Sequence, residues 1–227
     1  MSVFIKVIKS DNEIESDDNV NQQLTETISI PTYINLDVPF VPQAPDANWD
    51  DLHNDACEEA AVIAGVKYRE GISNMSKNDS ETAIQKTVAW QLENYQGHYE
   101  LSVQLMADLV KNVYGRESQI YYDMEINDII KQLAASNPIV VPIAGRSLGN
   151  PYYRTPGPVY HTLIIRGYDE NKKEFITNDP GTKRGEGYRY NYHVLYNAIH
   201  DMPQENQNKS TLDADPEMIY QGRKAML

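Results

Sequence analysis

The chain has 227 residues, is 41% hydrophobic and 23% charged, and carries a formal charge of −13 at pH 7. That length buries a sizeable core as one domain, while the excess of acid excludes nucleic acid and anionic membrane surfaces as partners. The single cysteine, Cys57, excludes internal disulfides and multi-thiolate metal sites, and the five histidines lack ligand spacing, so neither a metal nor a cofactor is expected.

The opening "MSVFIKVIKS" interrupts its apolar run with Lys6 and Lys9 and so lacks the pattern of a secretory signal. No stretch reaches the ~18 apolar residues of a membrane span. The expected compartment is the cytoplasm for the sequence as it stands, or an extracytoplasmic one if an export signal has been removed. Residues 3–8 read as a short strand. Residues 10–28 carry six acids and no base, the pattern of a solvated linker that is also a candidate flap over a cleft. Three regions are expected: an N-terminal strand and linker (1–33), one catalytic-type domain (34–202) and a polar, peripheral tail (203–227).

Asp55 and Glu58 have the D-x-x-E spacing of a capping box ahead of "ACEEAAVIAGVKYREG", with Gly71 as the C-terminal stop. Apolar residues at helical spacing predict further helices from about 79 to 95, from 102 to 114 and over 127–136, the last ending at Asn137-Pro138. The character then changes. "IVVPIA" (139–144), "HTLIIRGY" (161–168), "EFITND" (174–179) and "GYRYNY" (187–192) read as strands, and "VLYNAIHDM" as a last short helix. Helices first and strands second give an α+β domain with an antiparallel sheet.

Cys57 falls in the first turn of its helix, where unpaired N–H groups and the helix dipole favour a thiolate. Glu58 and Glu59 oppose that effect, so a nucleophilic role requires a histidine partner; the alternative is a buried core thiol. His161, at the head of an apolar strand, is the candidate base. A hairpin near residue 170 would put Asp179 on the same face as His161 if the paired residue numbers sum to an even value, ready to orient the imidazole. An odd register or a bulge would favour Asn178 instead. His53 is a rival base that would have to fold back over the same helix. Gln43 offers a side-chain amide to join the Cys57 backbone N–H in stabilising an oxyanion. The loop "GRSLGNPYYRTPGPVY" (145–160) leads into His161 and makes Tyr153, Arg154 and Tyr160 candidate substrate contacts, with Trp49 as a cleft wall near Gln43.

"VPFVPQAPDANWDDLHNDACEEAA", "YHTLIIRGYDENKKEFITNDPGT" and "GEGYRYNY" together resemble the double-glycine leader-peptidase-like family, the bacteriocin-processing branch of papain-like cysteine peptidases. The resemblance covers roughly residues 35–200. It implies a papain-like fold, with a helical half led by the cysteine helix packed on an antiparallel sheet. It also implies Cys57 as nucleophile, His161 as general base and then acid, Asp179 as orienting residue and Gln43 in the oxyanion hole. The substrate would be a peptide or protein. An amidase or transpeptidase acting on other amides, and a peptide-binding module without catalysis, are the alternatives. No transporter segment accompanies the resemblance, so cleavage after a double glycine is not implied. The Gln43–Cys57 gap, holding "APDANWDDLHNDA", is longer than the papain pattern.

Overall fold

The computed structural model describes residues 30–203 and 216–227. The strand expected at 3–8, the acidic linker of 10–28 and residues 204–215 of the tail lie outside the described residues. Element bounds follow the caps. Strand β1 (Tyr33–Asn35) leads through extended chain to the one-turn helix α1 (Asp51–Asn54), whose N-cap Asp50 accepts a hydrogen bond from the His53 N–H. The cysteine helix α2 (Cys57–Arg69) follows, then α3 (Lys77–Asn94) and α4 (Val103–Tyr114). Ser76 and Ser102 cap α3 and α4 by accepting from the N–H groups of Asp79 and Leu105, which satisfies donors the helix itself cannot.

The second half of the domain supplies the sheet. A two-residue strand β2 (Tyr121–Tyr122) and helix α5 (Ile126–Ala134) precede β3 (Ile139–Ile143), β4 (His161–Asp169), β5 (Glu174–Asn178) and β6 (Tyr188–Asn191). Helix α6 (Tyr192–Ala198), helix α7 (Pro216–Ile219) and strand β7 (Ala225–Met226) complete the described chain. All pairings are antiparallel: β6 pairs with β5, β5 with β4, and β1 and β3 share the other edge of β4.

Three apolar clusters hold the described residues together, two large ones on the faces of the sheet and a small one around Tyr160. Val140 and Ile164 face α2, α3 and α4, whereas Val141, Leu163, Ile165 and Phe175 face α5 and α6, as strand alternation requires. Cys57 to Ala64 are buried without a break, so α2 is covered on every side rather than lying on the surface. Gly71 closes it at φ +77, the left-handed conformation that glycine adopts without steric cost.

Two expectations are corrected here. The capping box at Asp55 and Glu58 does not form: the N-cap of α2 is Ala56, with no side-chain cap bond, and Asp55 ends α1. Glu58 turns into the core instead. The end of the chain is also integral rather than peripheral. Strand β7 pairs with β2, Leu227 exchanges backbone hydrogen bonds with Val140, and Ala225 and Met226 are buried.

Candidate active site

The site is built where β4 begins and β5 ends. From the hairpin, Asp169 pairs with Glu174, Tyr168 with Phe175 and Gly167 with Ile176. Arg166 is then skipped, and Ile165 pairs with Thr177 and Ile164 with Asn178. One step further in this register, Asp179 lies across from Leu163 and shares the face of His161. Had the hairpin register run on without a bulge, Asp179 would fall opposite Ile164 and point to the other face. The bulge therefore has the opposite effect to the one expected from sequence: it selects Asp179 and turns Asn178 away.

His161 Nε2 and Asp179 Oδ1 lie 2.9 Å apart, with both side chains buried. Asp179 Oδ1 also accepts from the Gly181 N–H, and Oδ2 accepts from the hydroxyls of Tyr153 (2.6 Å) and Tyr190 (2.8 Å) and from Asn150 Nδ2 (3.4 Å). Burial alone would raise this carboxyl, but the charge of His161 and these hydrogen bonds hold it below the usual carboxylate range. With Nε2 engaged, Nδ1 is the imidazole nitrogen left for another partner. Asn178 instead donates to the carbonyls of Val38 and Pro39 and accepts from the Gly187 N–H, which ties the segment before Gln43 to the sheet.

Gln43 is 4% exposed, and its Nε2 donates to the carbonyls of His53 (2.8 Å) and Asn54 (3.1 Å), just ahead of the cysteine helix. Its Oε1 has no hydrogen-bond partner, and Gly181 borders both it and His161: a Cβ added at Gly181 would stand 2.9 Å from His161 Cε1 and 3.4 Å from Gln43 Oε1. The missing Cβ of Gly181 thus leaves room for both side chains.

Cys57 opens α2 as expected and is 3% exposed. Its thiol donates to Glu58 Oε2 at 3.1 Å rather than to the imidazole. Glu58 Oε1 accepts from the Leu101 N–H (3.3 Å), and the Glu58 carboxyl is also hydrogen-bonded to Glu100. The Cys57 sulfur and an oxygen from each of Glu58 and Glu100 lie within 4.8 Å of one another. Burial pushes the thiol well up, and the charges of Glu58, Glu100 and Glu59 add to the shift. Burial likewise raises Glu58. The structure therefore places a hydrogen-bonded thiol beside a carboxyl pair, and burial also pushes the hydroxyl of Tyr160 well up. Glu100, Asn150 and Tyr190 are site residues that sequence reasoning misses, since none carries a local signal. Glu58 is read from sequence as a cap and as a charge opposing the thiolate, not as the hydrogen-bond partner of the thiol.

The remaining candidates divide by burial. Trp49 is 51% exposed and Arg154 is exposed, both accessible to a ligand. Tyr160 is 1% exposed with its hydroxyl on the Leu101 carbonyl, so it packs in the core rather than on a lip of the cleft. The Tyr153 hydroxyl turns inward to Asp179, and its ring meets the His161 ring edge-on at 5.6 Å. His53 does not fold back over α2: Nδ1 lies 2.6 Å from Asp50 and Nε2 3.0 Å from Glu81, which occupies both nitrogens.

A family model described as the Peptidase_C39 like family matches residues 35–207. Among solved structures, a C39-like peptidase from Bacillus anthracis is 14% identical with a TM-score of 0.48, over 86% of this chain and 97% of that one. Xylellain, a cysteine protease from Xylella fastidiosa, is 12% identical with a TM-score of 0.42, over 76% of this chain and 85% of that one. No curated protein sequence matches the chain. No helix among the described residues is long and apolar enough to cross a membrane.

Proposed function

The chain belongs to the Peptidase_C39 like family and is a cysteine-type peptidase of papain-like fold; from that membership we propose that Cys57, His161 and Asp179 form its catalytic triad, with Gln43 in the oxyanion hole. The observation that carries the assignment is the His161–Asp179 hydrogen bond through Nε2, which leaves Nδ1 for a thiol. In the reaction, Cys57 turns from Glu58 toward Nδ1 and passes its proton to the imidazole. The sulfur then attacks the carbonyl carbon of the scissile peptide bond. The electron pair displaced onto the carbonyl oxygen is met by the N–H of Cys57 and the Gln43 amide, which exchanges its bonds to the His53 and Asn54 carbonyls for the oxyanion. Collapse expels the amine, which takes the proton from His161, and water hydrolyses the thioester in the reverse sense. Trp49 and Arg154 are the exposed groups that receive the peptide.

The test compares peptide hydrolysis by Asp179→Asn and Asn178→Ala. Asp179→Asn is expected to lower kcat by at least about a hundredfold, because the amide cannot hold the imidazole in the same tautomer. Asn178→Ala is expected to act chiefly on stability, through the lost anchor on Val38 and Pro39. The reverse order of kcat values would reject Asp179 as the orienting residue.

A further inference from the structure

Asp179 is held by more donors than an orienting carboxylate requires. Its side chain accepts from His161 Nε2, the Gly181 N–H, both tyrosine hydroxyls and Asn150 Nδ2. Two carboxylate oxygens offer about four lone-pair directions, so these donors saturate the group and leave no place for water. The tyrosines arrive from separate parts of the fold, Tyr153 from the loop before β4 and Tyr190 from β6. Asn150 ties them together, since its Nδ2 also donates to the Tyr190 hydroxyl at 2.7 Å. Tyr153 has a second contact, its ring standing edge-on to His161 at an interplanar angle of 81°.

Hydroxyl donors spread the negative charge and fix the carboxylate in place. We infer that Tyr153 and Tyr190 are positioning residues of the reaction, whose hydroxyls set the orientation of Asp179 and, through it, that of the His161 imidazole. This rests on the triad reading. The titratable groups facing the pair are these two tyrosines and, on the Nδ1 side of His161 in the triad reading, Cys57, with Tyr188 farther out on β6. Gln43 and Gly181 face it from the neutral side. Loop 145–160 therefore acts on the reaction from behind the imidazole, not only as a surface for substrate.

The experiment follows the His161 ring resonance at one fixed pH by NMR, using the resonance that is absent in His161→Ala, alongside kcat and KM on one peptide that the wild type cleaves. Tyr153→Phe keeps the ring and removes only the hydroxyl. It is expected to shift the His161 ring resonance and to lower kcat by about tenfold with KM unmoved. Tyr190→Phe should act in the same direction, and if that core substitution fails to fold, Tyr153→Phe decides alone. An unchanged ring resonance and kcat in folded Tyr153→Phe overturn the inference. Failure of the triad reading gives a different signature, retained hydrolysis in Cys57→Ala, and leaves the ring-resonance comparison intact.

Discussion

At the residue scale, Cys57 is a thiol under two opposed influences. The N-terminus of α2 favours the thiolate, whereas burial and three carboxyl groups favour the thiol, and the second set prevails in the resting structure. Neutralising the nearest carboxyl should shift that balance. Glu58→Gln keeps an acceptor for the sulfur and removes the charge, so iodoacetamide labelling of Cys57 near neutral pH is expected to accelerate by about tenfold, one pK unit. Equal labelling rates would show that Glu58 does not hold the thiol. The sequence indicated Cys57, His161, Asp179 and Gln43 because each stands beside a recognisable boundary: a helix start, a strand start, a strand end and a proline-rich extended segment. It did not indicate the Cys57–Glu58 contact, because the spacing of Glu58 from Asp55 matches a cap equally well. Only the burial of α2 on all sides decides between the two.

At the element scale, the bulge in β4 absorbs Arg166 and so keeps Asp179 of the "ND" pair on the face of His161. Deleting Arg166 should remove the bulge while leaving Ile165 opposite Thr177 and Ile164 opposite Asn178, so Asp179 keeps the face of His161 and hydrolysis is expected to persist. Loss of hydrolysis in a folded deletion variant would contradict this reading of the register. Gly181→Ala tests the same corner more gently. Its Cβ would stand 2.9 Å from His161 Cε1, closer than packed carbons tolerate, so the imidazole must move. Activity is expected to fall by about a hundredfold for such a displacement, with little change in Tm because Gly181 is at a loop. Unchanged kcat would mean that the ring has room to spare. The start of α3 reads from sequence at about 79, past its Ser76 cap, whereas the start of α4 and the end of α2 were legible because Ser102 and Gly71 act locally. The bulge was not, because it depends on β4 pairing with β1 at one end and β3 at the other. Nor was β7, two residues whose pairing with Tyr121 and Tyr122 spans about half the chain.

At the scale of the whole molecule, the fold joins a helical half to a sheet, and buried acids lie along the join. Asp201 accepts hydrogen bonds from the N–H groups of Val103 and Met202, yet burial raises it from 3.8 to about 6. The folded carboxyl thus binds its proton more tightly than the unfolded one. Its contribution to stability is complete below the unfolded value and is lost as pH rises through about 6. Asp201→Asn is therefore expected to flatten the decline of Tm between about pH 4 and about pH 7 and to stabilise the protein at neutral pH by up to about 3 kcal/mol. A parallel, unshifted Tm curve would place the titration elsewhere.

The central claim is that Cys57 and His161 work as one catalytic unit. Its most direct test is hydrolysis of a tryptic peptide mixture, followed by mass spectrometry, with the wild type, Cys57→Ala, His161→Ala and the double variant. Residues that act as a unit are grossly non-additive. The expected result is a loss of at least about a thousandfold in each single variant and no further loss in the double. Cleavage retained in either single variant, or losses that multiply in the double, would contradict the assignment.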